Sequence, residues 1–112
     1  MINICVDEGY AFDFLSILEI KKNRSNQAMQ SWHNCFNYLK AQLPSYLFVL
    51  IINSQEYRNM VAINQKIFDA VEKAKYGEIT AKEVDSVNME RYYAKIDLQN
   101  KYFLNKITEQ KT

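Results

Sequence analysis

The sequence contains very few of the residues that make tight turns. Gly9 and Gly77 are its two glycines and Pro44 is its one proline among 112 residues. Sheet proteins use glycine and proline at many turns, so this scarcity excludes most all-β folds and favours long helices. We therefore expect an all-α protein, and its length suits a single domain spanning residues 1–112.

The chain also lacks an excess of charge of either sign. Its formal net charge is +1, and the acidic and basic residues are interspersed. Proteins that bind the phosphate backbone of DNA usually carry a basic face, so we expect no DNA partner. Apolar residues make up 48% of the chain and charged residues 24%, which is typical of a globular protein.

Cysteine is scarce, since Cys5 and Cys35 allow at most one disulfide bridge. The N-terminus has no basic start and reaches Asp7 too early for a secretory signal. We expect a cytoplasmic protein in which both thiols are reduced and packed as small apolar groups. The abundance of lysine over arginine, with many asparagines and isoleucines, is typical of an AT-rich genome such as that of a low-GC bacterium or its phage.

The longest apolar run is Tyr46 to Ile52, with seven residues. A membrane-spanning helix needs about 20, so the run predicts no membrane partner. We favour one helix that starts at Pro44 or Ser45 and continues to a C-cap at Gly77, with the apolar run buried on all sides. The alternative is an α+β fold in which a strand at 46–52, followed by a helix capped by Asn53, pairs with a strand at 2–6.

Three other helices are predicted from capping residues. Asp7 caps a helix to about residue 23, and Ser25 or Asn26 caps another that Pro44 ends near residue 43. Thr80 and Glu83 have the spacing of a capping box, which starts a last helix to about residue 110. The expected architecture is two shorter helices followed by a long antiparallel helical hairpin.

One polar stripe follows the last helix. Its members recur at spacings of three and four and are Asn88, Arg91, Lys95 and Gln99. The structural interpretation is an exposed face, or ion pairs with Asp69 and Glu72 across the hairpin. The functional interpretation is a site for a phosphate-bearing ligand or an acidic partner. Arg91 would donate two hydrogen bonds to this ligand, and the adjacent Tyr92 would help to orient it. In both cases the inward stripe of this helix is predicted to be Met89, Tyr92, Ile96, Phe103 and Ile107.

A second group of interest is acidic and lies near the start of the first helix. Asp13 stands between Phe12 and Phe14, and a buried carboxylate needs a partner. Arg91 or Lys95 would provide one, which would merge both groups into a single internal ion network. Alternatively, Asp13 or Glu8 acts with Arg91 in acid–base catalysis, although no nucleophile or oxyanion donor accompanies them.

Motifs for metals and cofactors are missing. His33 and Cys35 stand two positions apart, so on a helix they point about 200° away from each other. Two isolated glycines cannot form a nucleotide-binding loop. We therefore expect no metal site, no cofactor and no recognisable set of catalytic residues.

Tyrosine is unusually common, with eight in the chain. That number exceeds what one small core can hide, and tyrosine is favoured in contact surfaces. The leading hypothesis is a non-enzymatic helical interaction protein that forms a homo-oligomer, expected to be a dimer, and binds a protein partner. The second is a binder of a phosphate-bearing ligand or nucleotide on the Asn88–Gln99 stripe, and the third is a small enzyme that uses Asp13 or Glu8 with Arg91.

Overall fold

The computed structural model describes residues 2 and 4–105 of the chain, and this part contains five helices and no strand. The helices are α1 (Glu8–Lys21), α2 (Asn26–Gln42), α3 (Ser45–Ile52), α4 (Gln55–Lys75) and α5 (Ala81–Tyr102). The prediction of a small all-α bundle is confirmed. The prediction that the last helix continues to about residue 110 is wrong, because α5 ends at Tyr102 and residues 103–105 are not helical.

The predicted N-caps of α2 and α5 are confirmed. Ser25 Oγ accepts the backbone N–H of Ala28 at 3.0 Å, and Thr80 Oγ1 accepts that of Glu83 at 3.3 Å. Leu43 adopts an extended backbone directly before Pro44, as expected for a residue that precedes proline. Asp7 occupies the N-cap position of α1, but its side chain makes no capping hydrogen bond there.

The predicted C-cap at Gly77 is also confirmed, and it has a defined geometry. Gly77 has a φ of +71°, a region that glycine enters without steric cost. Its N–H donates to the carbonyl of Ala74 at 3.1 Å, and the N–H of Glu78 donates to that of Lys73 at 2.9 Å. These are the two hydrogen bonds of a Schellman motif, which closes the last turn of α4.

The prediction of one unbroken helix from residue 44 to Gly77 is wrong, because the helix is interrupted at residues 53 and 54. Ser54 is the N-cap of α4, and its Oγ accepts the N–H of Tyr57 at 3.1 Å. The same hydroxyl donates to the carbonyl of Ile51 at 2.6 Å, so it satisfies groups of both helices. Asn53, the predicted cap, ends α3 instead and donates its side-chain amide to the carbonyl of Val49 at 2.9 Å.

The alternative strand at 46–52 is wrong as well, because these residues form most of α3. The apolar run is not buried on all sides either. Phe48 and Ile51 are fully buried, whereas Tyr46, Val49 and Leu50 are at least half exposed. Helix α3 has eight residues and lies at the surface, so only one of its faces is buried. The apolar side chains on its other face are therefore exposed to solvent.

The hydrophobic core joins α1, α2, α3, α4 and α5 around two phenylalanines. The rings of Phe12 and Phe48 have centroids 6.1 Å apart, and Phe36 meets Phe48 edge-on at 5.0 Å. Tyr57 packs edge-on against Phe12 with centroids 6.3 Å apart. Further buried apolar side chains complete this core: Leu15, Leu39, Ile51, Met60, Ala94 and Leu98.

The inward stripe predicted for the last helix is wrong within α5, whose buried residues are Ala94, Lys95, Leu98 and Gln99. The predicted stripe residues Met89, Tyr92 and Ile96 are only half-buried. The reason is that α1 presents polar groups to α5, so two polar residues of α5 are accommodated in the bundle interior. Phe103, which follows α5, packs against the core as predicted, and Ile107 lies outside the described residues.

Ion pairs connect α4 with α5 at two levels. Lys66 Nζ lies 3.0 Å from Glu90, and Lys101 Nζ lies 3.0 Å from Glu56. Lys66, further along α4 than Glu56, thus pairs with Glu90, which comes before Lys101 in α5. The two helices therefore run in opposite directions at these contacts. The hydrogen bond from Lys101 lowers the pKa of Glu56. Exposed pairs of this kind contribute little to stability.

The two cysteines are free, but only one of them is packed. Cys35 is half-buried on α2, and burial raises the pKa of its thiol. Cys5 is exposed in the segment before α1. The expectation that both thiols are packed is therefore wrong for Cys5, because the segment that carries it does not enter the core.

Truncation of Phe48 to alanine should destabilise the bundle strongly. A fully buried phenylalanine replaced by alanine costs about 3–5 kcal/mol through lost burial and the cavity left behind. The neighbouring Val49 is half exposed, so Val49→Ala should change the free energy of unfolding by less than about 1 kcal/mol. Urea unfolding of both variants measures the difference, and equal losses would contradict the placement of α3.

Candidate functional site

Helix α1 buries two polar side chains together with apolar ones. Asp13 is only 1% exposed and Ser16 is fully buried, as is the core residue Phe12. Elsewhere on the same helix, Tyr10 and Phe14 are more than 40% exposed. Helix α1 thus differs from an ordinary amphipathic surface helix, because part of its polar surface is buried and part of its apolar surface is exposed.

The predicted partner of Asp13 is confirmed as Arg91 of α5. The guanidinium Nη2 lies 2.6 Å from Asp13 Oδ2, and Nε lies 3.1 Å from both carboxylate oxygens. This is the forked geometry in which arginine holds a carboxylate most strongly. The pair joins α1 to α5 and forms the centre of the internal ion network that the sequence suggested.

Two further polar side chains form hydrogen bonds with Asp13. Neither was predicted from the sequence to belong to the site. Asn64 of α4 donates its amide to Asp13 Oδ1 at 2.9 Å and to Ser16 Oγ at 2.7 Å. Ser16 in turn donates to the carbonyl of Asp13 at 2.6 Å. A signal for Asn64 did exist, because it interrupts the buried stripe of Met60 and Ile67 at helical spacing.

Gln99 holds a second polar contact between α1 and α5. Its Oε1 accepts the backbone N–H of Gly9 at 2.6 Å, while its Nε2 donates to Glu8 Oε1 at 2.9 Å and to the carbonyl of Asn105 at 3.0 Å. The first N–H groups of a helix lack partners within that helix. Gln99, which is fully buried, therefore caps α1 from α5.

The remaining residues of the predicted ligand face do not share one environment. Lys95 is buried, and its Nζ lies 5.4 Å from the centre of the Tyr10 ring. Asn88 is exposed, and Tyr92 is half-buried with its ring edge-on to Tyr93 at 5.7 Å. The structure brings Asp13, Arg91 and Gln99 to the interface of α1 with α5, and it leaves Asn88 at the surface.

This arrangement limits the chemistry available to the network. A phosphate that binds Arg91 must compete with Asp13, which already occupies the forked face of the guanidinium. The Asp13 carboxylate is sealed from solvent and bonded to Arg91 and Asn64, so it presents no oxygen to a dissolved substrate. Glu8 is half-buried and accepts a hydrogen bond from Gln99. The ion pair and hydrogen bonds of this network hold α1, α4 and α5 in fixed positions relative to each other.

The described residues provide neither a set of metal ligands nor a membrane-spanning helix. Among residues 2 and 4–105, no three His, Cys, Asp or Glu side chains converge as a metal site requires. Within that part of the chain, no helix combines the length and apolar character needed to cross a bilayer.

An apolar groove lies between α1 and α2, with a volume of about 560 Å³. We call it the α1–α2 groove, and its walls are Val6, Tyr10, Ala11, Phe14, Leu18, Ser31, Asn34, Cys35, Tyr38 and Leu39. None of these residues is charged. The exposed Tyr10 and Phe14 of α1 and the exposed Tyr38 of α2 thus border one uncharged concavity.

A larger concavity of about 720 Å³ lies between α4 and α5 and has a different character. Glu56, Glu90, Asp97 and Lys101 contribute charge to it, with Ala62 and Ala94 also lining the surface. Three of its charged residues belong to the ion pairs that connect α4 with α5. Its charges therefore serve the contact between the two helices.

Tyr57 is the most strongly perturbed acid of the described core. Burial raises the pKa of its phenol well above its usual value of 10.0, and the nearby Glu19 and Cys35 raise the pKa further. The phenol is thus held in its neutral form, mainly by its burial in the core. Its role is in packing, because its ring contacts Phe12.

Comparisons of this chain with protein-family models, with curated proteins and with solved structures find no match. The proposals below therefore rest on the physical properties of the molecule.

Replacement of Arg91 by leucine should destabilise the protein because it leaves the Asp13 carboxylate buried without its cation. Removal of one partner of a buried pair costs about 3–5 kcal/mol, and the lower end applies because the Arg91 side chain is 30% exposed. The exposed pair provides a control, since Lys66→Leu should cost less than about 1 kcal/mol. In urea unfolding, the double variant Asp13→Leu/Arg91→Leu should recover much of the stability that Arg91→Leu loses. Equal losses of unfolding free energy for Arg91→Leu and Lys66→Leu would contradict a structural role for Arg91.

The phenol of Tyr57 should make the protein less stable at alkaline pH. Because its pKa is raised in the folded state, its contribution is complete below the unfolded pKa of about 10 and is lost as the pH rises above that value. The loss approaches about 1.4 kcal/mol for each pH unit. Urea unfolding between pH 9 and 11 should show a weaker pH dependence for Tyr57→Phe than for the wild type. Identical dependence would show that Tyr57 titrates alike in both states.

Proposed function

We propose that this chain is a non-enzymatic interaction protein that forms a homo-oligomer and binds a protein partner through exposed apolar surface. The observation that carries the proposal is the α1–α2 groove, an uncharged concavity with exposed aromatic walls. Large exposed apolar patches on a soluble domain commonly mark contact sites. We further propose a cytoplasmic accessory role in a bacterium or phage, which follows from composition alone.

The distribution of tyrosine supports a contact function. Tyr57 is buried and Tyr92 and Tyr102 are half-buried, whereas the other five of the eight tyrosines are exposed. Tyrosine is enriched in protein interfaces because it combines a large apolar ring with a hydroxyl that tolerates water. Five exposed phenols on a chain of this size are consistent with surfaces that other molecules cover.

We propose the outer face of α3 as the contact for a protein partner. Tyr46, Val49 and Leu50 are exposed at spacings of three and four, so they form one ridge on the helix. Helix α3 contains no charged residue, so its ridge is suited to an apolar groove on the partner. Three side chains are a small area, and they would act as the buried centre of a larger and more polar interface.

The phosphate-ligand hypothesis has less support in the geometry. Arg91 and Gln99 are committed to contacts with α1, and Lys95 is buried against Tyr10. A ligand at this face would have to separate α1 from α5. An enzyme that uses Asp13 faces the same obstacle, since substrate has no access to the carboxylate.

Charge placed on the α3 ridge should abolish binding of the partner without unfolding the protein. Tagged wild type should recover one stoichiometric companion from a low-GC bacterial lysate at physiological salt, and Tyr46→Glu/Leu50→Glu should lose it. Tyr76→Glu is the matched control, because Tyr76 is 74% exposed and Tyr46 is 76% exposed. Circular dichroism checks the fold of each variant. Absence of any companion, or its retention by the double variant, would overturn the proposed contact.

A further inference from the structure

Three aliphatic side chains among the described residues before α1 are exposed to solvent. We call residues 2–6 the N-terminal arm, of which the structure describes residues 2 and 4–6. These described residues belong to no helix or strand. Ile2, Ile4 and Val6 are 84%, 76% and 49% exposed. An uncovered row of aliphatic side chains is costly in water, so the arm needs an apolar surface to cover it.

The α1–α2 groove lies directly beside this arm but is not filled by it. Val6 contributes to the groove wall, whereas Ile2 and Ile4 do not line it. A second hollow of about 370 Å³ continues from the groove, and Ile4, Cys5 and Val6 line it together with Tyr38 and Leu39. The arm therefore passes along the edge of an apolar surface while most of its own apolar surface stays exposed.

We propose that a second copy of this chain covers both surfaces by arm exchange. The N-terminal arm of each copy lies in the α1–α2 groove of the other, so that Ile2 and Ile4 fill the space between Phe14 and Tyr38. Two such contacts are related by a twofold axis and produce a closed dimer. This inference rests on the proposed oligomeric function and identifies the surface that the oligomer uses.

The exposed area is sufficient for such a dimer. An aliphatic side chain contributes roughly 100 Å² of burial, and an aromatic one roughly 200 Å². With the exposed fractions of Ile2, Ile4, Val6 and the three exposed aromatic residues of the groove, each copy offers roughly 500 Å² of apolar surface. Two copies offer about 1,000 Å², and the polar rim brings the total to the range of a stable interface, about 1,600 Å².

Charge complementarity also favours a second copy over a charged partner. The N-terminal arm contains no charged residue, and no charged residue lines the α1–α2 groove. A basic or acidic peptide would therefore lose hydration in the groove without gaining an ion pair. The formal net charge of +1 means that two copies repel each other little.

The two cysteines provide a direct test, because one lies on the arm and the other in the groove. Cys5 is exposed and Cys35 lines the α1–α2 groove. Cys5→Ser and Cys35→Ser should be prepared separately, one of them labelled with ¹⁵N, and refolded together. Oxidised glutathione is then added. It oxidises the Cys5 thiol of one variant and the Cys35 thiol of the other to a disulfide, and it is itself reduced to two molecules of glutathione.

Arm exchange predicts a disulfide between Cys5 of one variant and Cys35 of the other, seen by mass spectrometry as a labelled–unlabelled dimer. Light scattering of the unoxidised wild type should give twice the mass of the chain. Ile4→Asp should reduce it to the monomer mass, with the helical circular dichroism retained, whereas Tyr76→Glu should leave the dimer intact.

A monomeric wild type, or the absence of a labelled–unlabelled disulfide dimer after oxidation, would overturn the inference. A dimer that persists in Ile4→Asp would overturn arm exchange while leaving the oligomeric function in place. Loss of the protein partner in the α3 variants is a separate result, because Tyr46 and Leu50 lie outside the arm and the groove. Failure of the dimer and failure of partner binding are therefore distinguishable.

Discussion

The buried ion pair of Asp13 with Arg91 is the constraint on which the arrangement of α1 depends. A carboxylate that leaves water must be matched by a cation and hydrogen-bond donors, otherwise its burial is prohibitively costly. Arg91 and Asn64 meet this requirement from two different helices. Because these donors lie on α4 and α5, α1 has only one rotation about its axis that satisfies its carboxylate.

That rotation has a consequence on the other side of the helix. With Asp13 and Ser16 directed inwards, Tyr10 and Phe14 are directed outwards, and the α1–α2 groove forms between them and Tyr38. The burial of the ion pair and the exposure of these two aromatic side chains are thus two results of the same rotation of α1. Evolutionary replacement of the ion pair by apolar residues would remove the need for this orientation and allow Tyr10 and Phe14 to turn inwards.

Much of the secondary structure could be predicted because it depends on local chemistry. Ser25, Thr80 and Gly77 act on neighbouring backbone groups, and their roles were evident from sequence. The break at Ser54 was missed because the residues before it and after it both favour helix. The Asp13–Arg91 pair was anticipated from the cost of burying a charge, whereas the position of Asn64 depends on how α4 packs, which one sequence does not specify.

The side chain of Gln99 brings distant parts of the chain into one small volume. It contacts Glu8 and Gly9 at the start of the first helix and the carbonyl of Asn105 near the end of the described chain. Contacts that span some ninety positions slow folding, since closing so long a loop costs chain entropy. The same contacts bring Glu8 and Asn105 within hydrogen-bonding reach of one side chain, so a short linker between these positions is a natural place to join the chain in a circular permutant.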